Sequence, residues 1–492
     1  MVIAVDLVGV HGTRNAGLAP AGHAPADKLA TRVAGRIEAD IARRGWPAGE
    51  SLGSEVDLRE QYGVSRAVLR EAVRLVEHHQ VARMQRGPGG GLLIVTPDAG
   101  PATRASVIYL EYLGTSVEDL VAARLLLEPL ATALAAERIT EDGITRLRGA
   151  LAAEPDRHSP GMWSHDPLNV VLGELSGNSV LRLFIDVLTR LTDRYAYLGE
   201  QLAPDELAAA RARSQQWHAS IVEAVIAGDA ARAQTRMSDY LDRTAAWLHE
   251  HRDGPGAGPG PGAGPGPPAD TSPAKEKLAE VMAARIYQDI VRQGWPVGQV
   301  LGSETGLLDR YQISRAVFRE AVRLLEYHAV ARMRRGPGGG LVVAEPEPQA
   351  SIETMALYLE YQHSTGEDLR IVREAIELGT VSGVTARRAE PQVTAWLDAA
   401  AGWPTTGSVP ADRFHSELAQ LAGNPVLVLF LRILSELFRR HTASHRVPPP
   451  ADVAGQVAQA HQRILDAIVA GDGCLARHRM RRHLAKLSPW WH

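Results

Sequence analysis

The chain repeats itself, and the repeat limits what it can become. "VSRAVLREAVRLVE" at 64–77 returns as "ISRAVFREAVRLLE" at 313–326, and "VARMQRGPGGGL" at 81–92 returns as "VARMRRGPGGGL" at 330–341, each displaced by 249 residues. More loosely, "LSGNSVLRLF" at 175–184 answers "LAGNPVLVLF" at 421–430 at a displacement of 246. A displacement shared by separated segments points to a copied unit, so the two halves should fold alike. The first part of each unit has stayed similar while the remainder has drifted. Between the copies, Gly254 to Pro268 reads "GPGAGPGPGAGPGPP" and holds no side chain that could build a core. Such a tract is a semi-extended spacer, and at about 3.1 Å per residue it reaches at most roughly 45 Å.

Composition narrows the setting. A length of 492 residues suits three or four domains. The single cysteine, Cys474, excludes a disulfide framework and suits a reducing compartment. No apolar run approaches the ~18 residues of a membrane span, and Met1 to Val10 lacks the basic start of a signal peptide. The expected location is therefore the bacterial cytoplasm, at the nucleoid, with no membrane partner. The net charge of −4 conceals an asymmetry: residues 28–94 carry +3 and residues 277–343 carry +4, leaving −11 elsewhere. Basic charge gathers where the repeat is best kept.

Within one unit, Leu29, Val33, Ile37 and Ile41 form a helical stripe that "GWPAG" interrupts. Ser54 is a suitable N-cap for a short helix over Glu55 to Gln61, and Tyr62-Gly63 supplies a turn. Ser65 can cap a further helix from Arg66 to about His78, with Val68, Ala72, Val73 and Val76 on its buried face. Two helices around a tight glycine turn make a helix-turn-helix. The following "RMQRGPGGGLLIVTP" reads as a β-hairpin with a Pro-Gly tip, a wing. Arg66, Arg70 and Arg74 stand at four-residue spacing on the second helix, as do Arg315, Arg319 and Arg323 in the other copy. Guanidinium groups along a helix that enters the major groove can grip guanine edges or phosphates. Arg86 and Arg335 flank a glycine tip that could approach DNA closely.

These segments resemble the DNA-binding domain of the GntR family over about 70 residues in each half. The resemblance implies DNA contacts from Ser65, Arg66, Arg70, Arg86, Gly87 and Gly89, and from Ser314, Arg315, Arg319, Arg335, Gly336 and Gly338. It also expects a basic residue after "SE", where this chain has Val56 and Thr305. Residues 105–252 and 350–492 show helical patterns only, with Val180, Phe184, Val187, Leu188, Leu191 and Tyr195 forming one stripe and Leu427, Phe430, Leu431, Leu434 and Leu437 its counterpart. "SVEDLVAARLLLEP" and "TGEDLRIVREAIEL" resemble the first helix of the helical effector (FCD) domain of the FadR subgroup, and "AGN" and "H…GD…M..HL" agree with it.

The second copy carries a candidate metal site. His461 precedes Asp472 by eleven residues and His483 follows it by eleven, so a hairpin turning at Gly471-Asp472-Gly473 would bring the imidazoles together. Asp412 and His415 share one face of an earlier helix. Three imidazoles and a carboxylate suit Zn2+ or another borderline divalent ion. FCD domains commonly bind metal through one Asp and three His, which implies His415, His461 and His483 here. The family's carboxylate stands four residues before the first histidine, a place held by Ala411, with Asp412 one residue nearer. In the first copy the corresponding residues are Asn169, His218 and Tyr240, with Asp166 matching Asp412, so no cofactor is expected there. Arg124 and Arg373 stand where the family meets a carboxylate effector, with Glu128 and Glu377 at i+4 as alternative partners. His218 is the remaining candidate for effector contact.

The expected fold is mainly α. Two winged helix-turn-helix domains, each with a small β-hairpin wing, occupy 25–98 and 272–346. Each precedes an all-α helical-bundle effector domain, at 105–252 and 350–492. A flexible extension covers 1–24 and the Gly/Pro linker covers 253–271. The expected function is a transcription repressor that binds double-stranded operator DNA under the control of a small carboxylate effector. It would act as a pseudo-dimer within one chain or as a homodimer of chains. Two other classes use the same residues: a metal-dependent hydrolytic enzyme with water on the histidine cluster, and an architectural DNA-binding protein without a ligand.

Overall fold

The computed structural model describes residues 25–85, 87, 90–154, 167–195, 204–252, 276–336, 338–403, 411–444 and 453–487. The expected extension at 1–24 and the linker at 253–271 lie outside the described residues, as do Arg86, Gly89, Asp166 and the side chains of Tyr195 and Asp412. The chain divides into two compact units, Met1–Pro97 and Asp98–His492.

The first unit holds α1 (Pro25–Arg43), α2 (Glu55–Tyr62), α3 (Arg66–His78), β1 (Ala82–Gln85) and β2 (Gly91–Ile94). Val33, Ile37 and Ile41 of α1 are buried against α3. The chain leaves α1 through two left-handed residues, Gly45 (φ 74°) and Trp46 (φ 55°), and the Trp46 ring turns into the core. Ser54 caps α2 in a reciprocal box with Asp57, and Gly63 (φ 64°) closes the helix. Ser65 caps α3 by accepting from the Val68 N–H at 3.3 Å. On α3 the core positions are Leu69, Ala72, Val73 and Val76, while Val68, expected inside, is half-buried. β1 and β2 pair antiparallel from Ala82↔Ile94 to Gln85↔Gly91, and Ser51 bridges to Leu93 at the outer edge. A Cβ on Gly91 would run into the Gly53 carbonyl, so only glycine lets this third segment lie so close.

The second unit opens with α4 (Gly100–Tyr112), α5 (Val117–Glu137), α6 (Glu141–Ala152), α7 (Pro167–Leu175), α8 (Ser179–Tyr195), α9 (Pro204–Ile226) and α10 (Ala230–Arg252). The element order of the first unit then recurs as α11 (Glu276–Arg292), β3 (Val300–Gly302), α12 (Glu304–Tyr311), α13 (Arg315–Tyr327), β4 (Ala331–Arg334) and β5 (Gly340–Val343). Here the sheet has three antiparallel strands in the order β3-β5-β4. Seven helices follow among the described residues: α14 (Gln349–Tyr361), α15 (Gly366–Ala386), α16 (Pro391–Ala401), α17 (Ala411–Ala422), α18 (Pro425–Ser444), α19 (Val453–Val469) and α20 (Gly473–Leu487).

The two helical segments of this unit share one core. Leu120, Leu127, Phe184 and Leu188 from the first join Leu369, Ile376, Phe430 and Leu434 from the second. Phe184 and Phe430, equivalent residues of the two copies, stack with centroids 4.0 Å apart and planes 8° from parallel. Asn178 caps α8 with its Oδ1 and donates its amide to the Asp368 carbonyl at 3.1 Å. Asn424 caps α18 in the same way and donates to the Asp119 carbonyl at 2.8 Å. Each contact is thus made twice with the halves exchanged, as across a two-fold axis.

Where α5 meets α15 the two faces are not alike. α5 presents Leu126, Leu130 and Leu134; at the same positions α15 has Ala375, Gly379 and Gly383. A Cβ on Gly379 would collide with the Leu126 side chain, so leucine is seated against bare backbone. The remaining helices build a separate core in each half, around Leu168, Ile221, Val225 and Met237 in one and Phe414, Leu418, Ile464 and Met480 in the other. Finally, α4 passes its far end to the 276–343 segment. Ile108 joins that segment's core, Tyr112 meets Trp295 edge-on at 5.5 Å, and the Tyr287 hydroxyl donates to Glu111.

Candidate nucleic-acid interface and metal centre

The arginines of α3 and α13 point to solvent, because the opposite face of each helix is spent on the core. The side chains of Arg315, Arg319 and Arg323 are 63, 70 and 75 % exposed, and Arg66 and Arg74 are 64 and 75 % exposed. Arg70, between them, is exposed too. Acidic neighbours hold several of them in place. Arg66 bonds Glu55 at 2.6 Å and Arg74 bonds Glu71 at 3.0 Å; in the second copy Arg315 and Arg319 lie 3.1 and 3.9 Å from Glu304, and Arg323 lies 3.2 Å from Glu320. The hydrogen bond from Arg66 keeps the Glu55 carboxyl below the usual carboxylate range. Exposed pairs of this kind contribute little to stability, so phosphate can replace the carboxylate at small cost. Glu55 and Glu304 were not picked out from the sequence. The signal available was an acid directly after the capping serine in both copies.

Ser65 and Ser314 serve as N-caps, the latter accepting from the Val317 N–H at 3.4 Å. At the wing, Gly87 (φ 114°), Gly336 (φ 100°) and Gly338 (φ 70°) take left-handed backbone and, with Arg335, are exposed. Val56, where the resemblance expects a basic side chain, is 60 % exposed.

In the second copy α17, α19 and α20 bring His415, His461 and His483 together, all buried, with ligand nitrogens within 4.8 Å of one another. The Nε2 atoms of His461 and His483 are 3.1 Å apart, and those of His483 and His415 are 3.3 Å apart. Nitrogens each about 2.0–2.1 Å from one ion in tetrahedral array would lie roughly 3.3–3.4 Å apart, so the spacing fits a coordination sphere. Imidazoles at this spacing either share N–H···N hydrogen bonds or surround a cation.

The ring orientations are fixed from behind. His415 Nδ1 bonds Glu377, and Glu377 accepts from Arg373 Nε at 2.6 Å, a carboxylate–histidine arrangement typical of metal ligands. Phe414 stacks on His461 at 3.9 Å. Burial, together with the neighbouring imidazoles, pushes His461 down to about 2 and His483 down to about 3, so both rings are neutral and able to ligate at ordinary pH. Burial works to raise Glu377, but His415 and Arg373 outweigh it and hold the carboxyl at about 2. An ion on these three nitrogens would keep a position open and supply a Lewis-acid point for an oxygen ligand. Among the described residues the donor set is these three histidines.

The first copy keeps the frame and loses the ligands. Arg124 grips Glu128 through two bonds, Nε to Oε1 at 2.6 Å and Nη2 to Oε2 at 3.1 Å. Asn169 stands in place of His415, and Tyr240 in place of His483, 4.8 Å from the His218 ring. His218 Nδ1 meets Glu154 at 2.8 Å. Arg124 and Arg373, candidates for effector contact, are both buried in ion pairs with the glutamate four residues on.

Comparison with known proteins places the chain in a family. A family described as "FCD domain" matches residues 119–243 and 350–486, together more than half of the chain. "Bacterial regulatory proteins, gntR family" matches residues 29–91. The transcriptional regulator LutR of Bacillus subtilis is 26% identical over 203 residues, which make up 39% of this chain and 90% of LutR. The transcriptional repressor NanR of Escherichia coli is 25% identical over 247 residues, 44% of this chain and 86% of NanR. A solved GntR protein of Streptococcus agalactiae aligns with a TM-score of 0.32 at 22% identity, over 44% of this chain and 99% of its own. These relatives are regulators of transcription and not enzymes, which removes the hydrolase reading of the histidine cluster. Among the described residues no helix is long and apolar enough to cross a membrane. The chain belongs to the GntR-family transcription regulators that carry an FCD effector domain, and it carries that domain twice.

Proposed function

We propose that the chain is a covalent pseudo-dimer produced by tandem duplication: a repressor whose two winged helix-turn-helix domains, 25–98 and 272–346, read the two halves of one operator. The observation that carries this reading is the seam between the helical segments. Its contacts are reciprocal, as in a dimer of identical domains, yet the α5 and α15 faces differ in size, with Leu126 set against Gly379. Two copies of the α5 face would set leucine against leucine, and two copies of the α15 face would leave a gap. Pairing one half with the other is the combination that fills the space. Two heads on one chain match an operator with half-sites one helical turn apart, about 34 Å. Small differences between the heads, such as Gly63 against Gln312 and Val64 against Ile313, favour an asymmetric site. NanR carries the word repressor in its name, which supports that sense of regulation.

The second effector domain, in this reading, senses a small carboxylate through Zn2+ or a similar ion on His415, His461 and His483. Arg373 and Glu377 position the first of these rings and do not themselves meet the effector. Elemental analysis of the purified chain should find about one ion per chain, and His483→Ala should lose it. Two equivalent ions per chain, or an ion retained by His483→Ala, would refute the assignment. Operator affinity should also change when a small carboxylate such as citrate is titrated into the metal-loaded protein and not into the chelator-treated one.

A further inference from the structure

Asn169 poses a problem that the metal centre does not solve. Its side chain is 1 % exposed, and neither its Oδ1 nor its Nδ2 has a hydrogen-bond partner among the described residues. A buried amide is ordinarily paired, because removing it from water forfeits bonds on both sides. The residue sits on α7 where the second copy places His415, and the other two metal-ligand positions are filled by His218 and Tyr240, whose rings lie 4.8 Å apart. An amide with a free donor and a free acceptor thus stands next to Leu168, in the core that helices α5, α7, α9 and α10 share.

We infer that the first effector domain holds a metal-independent site for a small uncharged molecule presenting a donor and an acceptor side by side, such as a carboxamide or lactam, read by Asn169 with Tyr240 and His218 beside it. The inference rests on reading both helical bundles as effector domains and adds a ligand class that differs between them. Complementarity decides the class. A primary amide pairs with another amide through two parallel bonds, N–H to C=O in each direction, which gives both Oδ1 and Nδ2 of Asn169 a partner. Charge decides against an anion. In the second domain Glu377 divides its oxygens between Arg373 and His415, whereas in the first Glu128 turns both oxygens to Arg124. His218 faces the Glu154 carboxylate. The guanidinium is already matched, a second carboxylate is present, and the two histidines that would help hold an ion are replaced. A carboxylate ligand would therefore enter without a countercharge.

The test uses the full chain. Saturation-transfer NMR is recorded with acetamide, 2-pyrrolidone and benzamide, and with acetate and benzoate, on chelator-treated protein so that the second domain is silent. At least one amide should bind while its acid counterpart does not, and Asn169→Leu should abolish that signal. The same variant should keep or raise Tm, because it removes an unpaired buried amide and keeps the volume. Silence of all three amides, an amide signal that survives Asn169→Leu, or a Tm lowered by several degrees would overturn the inference. A lowered Tm would mean that the amide is satisfied within the fold, for instance by enclosed water. Citrate binding to the metal-loaded protein, measured in parallel, reports on the effector-domain reading itself. If it persists while the amides fail, this inference alone falls.

Discussion

At the scale of single residues, the candidate side chains divide into exposed arginines and buried polar groups. Arg70 and Arg319 sit at the centre of their stripes and are exposed. Arg70→Ala or Arg319→Ala should weaken operator binding by about 10- to 100-fold each, the worth of one specific arginine contact. Fluorescence anisotropy on an operator duplex would measure this, and unchanged affinity would remove α3 and α13 from the interface. The buried histidines give a pH prediction. The ordinary histidine value is 6.5, and in the fold burial lowers His461 to about 2 and His483 to about 3. Between those limits the unfolded chain binds more protons than the folded one, so stability is lost as pH falls from about 6.5 towards 3. The slope is up to about 1.4 kcal/mol per pH unit for each ring. The urea midpoint of metal-stripped protein should drop between pH 7 and pH 5, and His461→Phe/His483→Leu should flatten that drop. A midpoint independent of pH in the unsubstituted chain would show that these rings are not held neutral.

At the scale of elements, the local parts were legible in the sequence and the long-range ones were not. The α2–turn–α3 segment could be read because caps, a glycine turn and a 3.6-residue stripe act within a few residues of each other. The histidine pair could be read because a hairpin equates residues at equal distance from Gly471-Asp472-Gly473. By contrast, Asn178 finds Asp368 across 190 residues and Asn424 finds Asp119 across 305. No periodicity announces such partners. The "GN" motifs were visible, but their second bond was not. Asn169 could be named as the counterpart of a ligand, yet its lack of a partner depends on how helices α5, α7 and α9 pack into one core. The leucine row on α5 and the small-residue row on α15 were present as a difference between the copies, and only their contact gave the difference meaning. That contact can be tested. Gly379→Leu should destabilise the chain by about 1–3 kcal/mol through overpacking, and Leu126→Ala by about 1–2 kcal/mol through a partly filled cavity. If the two positions face each other, the double variant should recover at least 1 kcal/mol relative to the sum. Strict additivity in chemical denaturation would contradict the seam.

For the whole molecule, the proposed duplication would turn a two-chain arrangement into a one-chain one and free the copies to diverge. On that proposal the segments 28–94 and 277–343 stayed alike because both grip similar half-sites. The effector bundles drifted into a histidine cluster in one and an Asn-Tyr-His set in the other. α4 adds a structural consequence: it leaves the first helical bundle and docks its Ile108 and Tyr112 on the 276–343 segment, so the two are joined directly. The measurement that bears most directly on this account is the number of chains on one operator. A duplex selected from a random pool, mixed with the full-length protein and weighed by light scattering after size exclusion, should carry one chain contacting both half-sites. A complex that needs two chains for a single palindromic site, with one head of each chain left free, would contradict it.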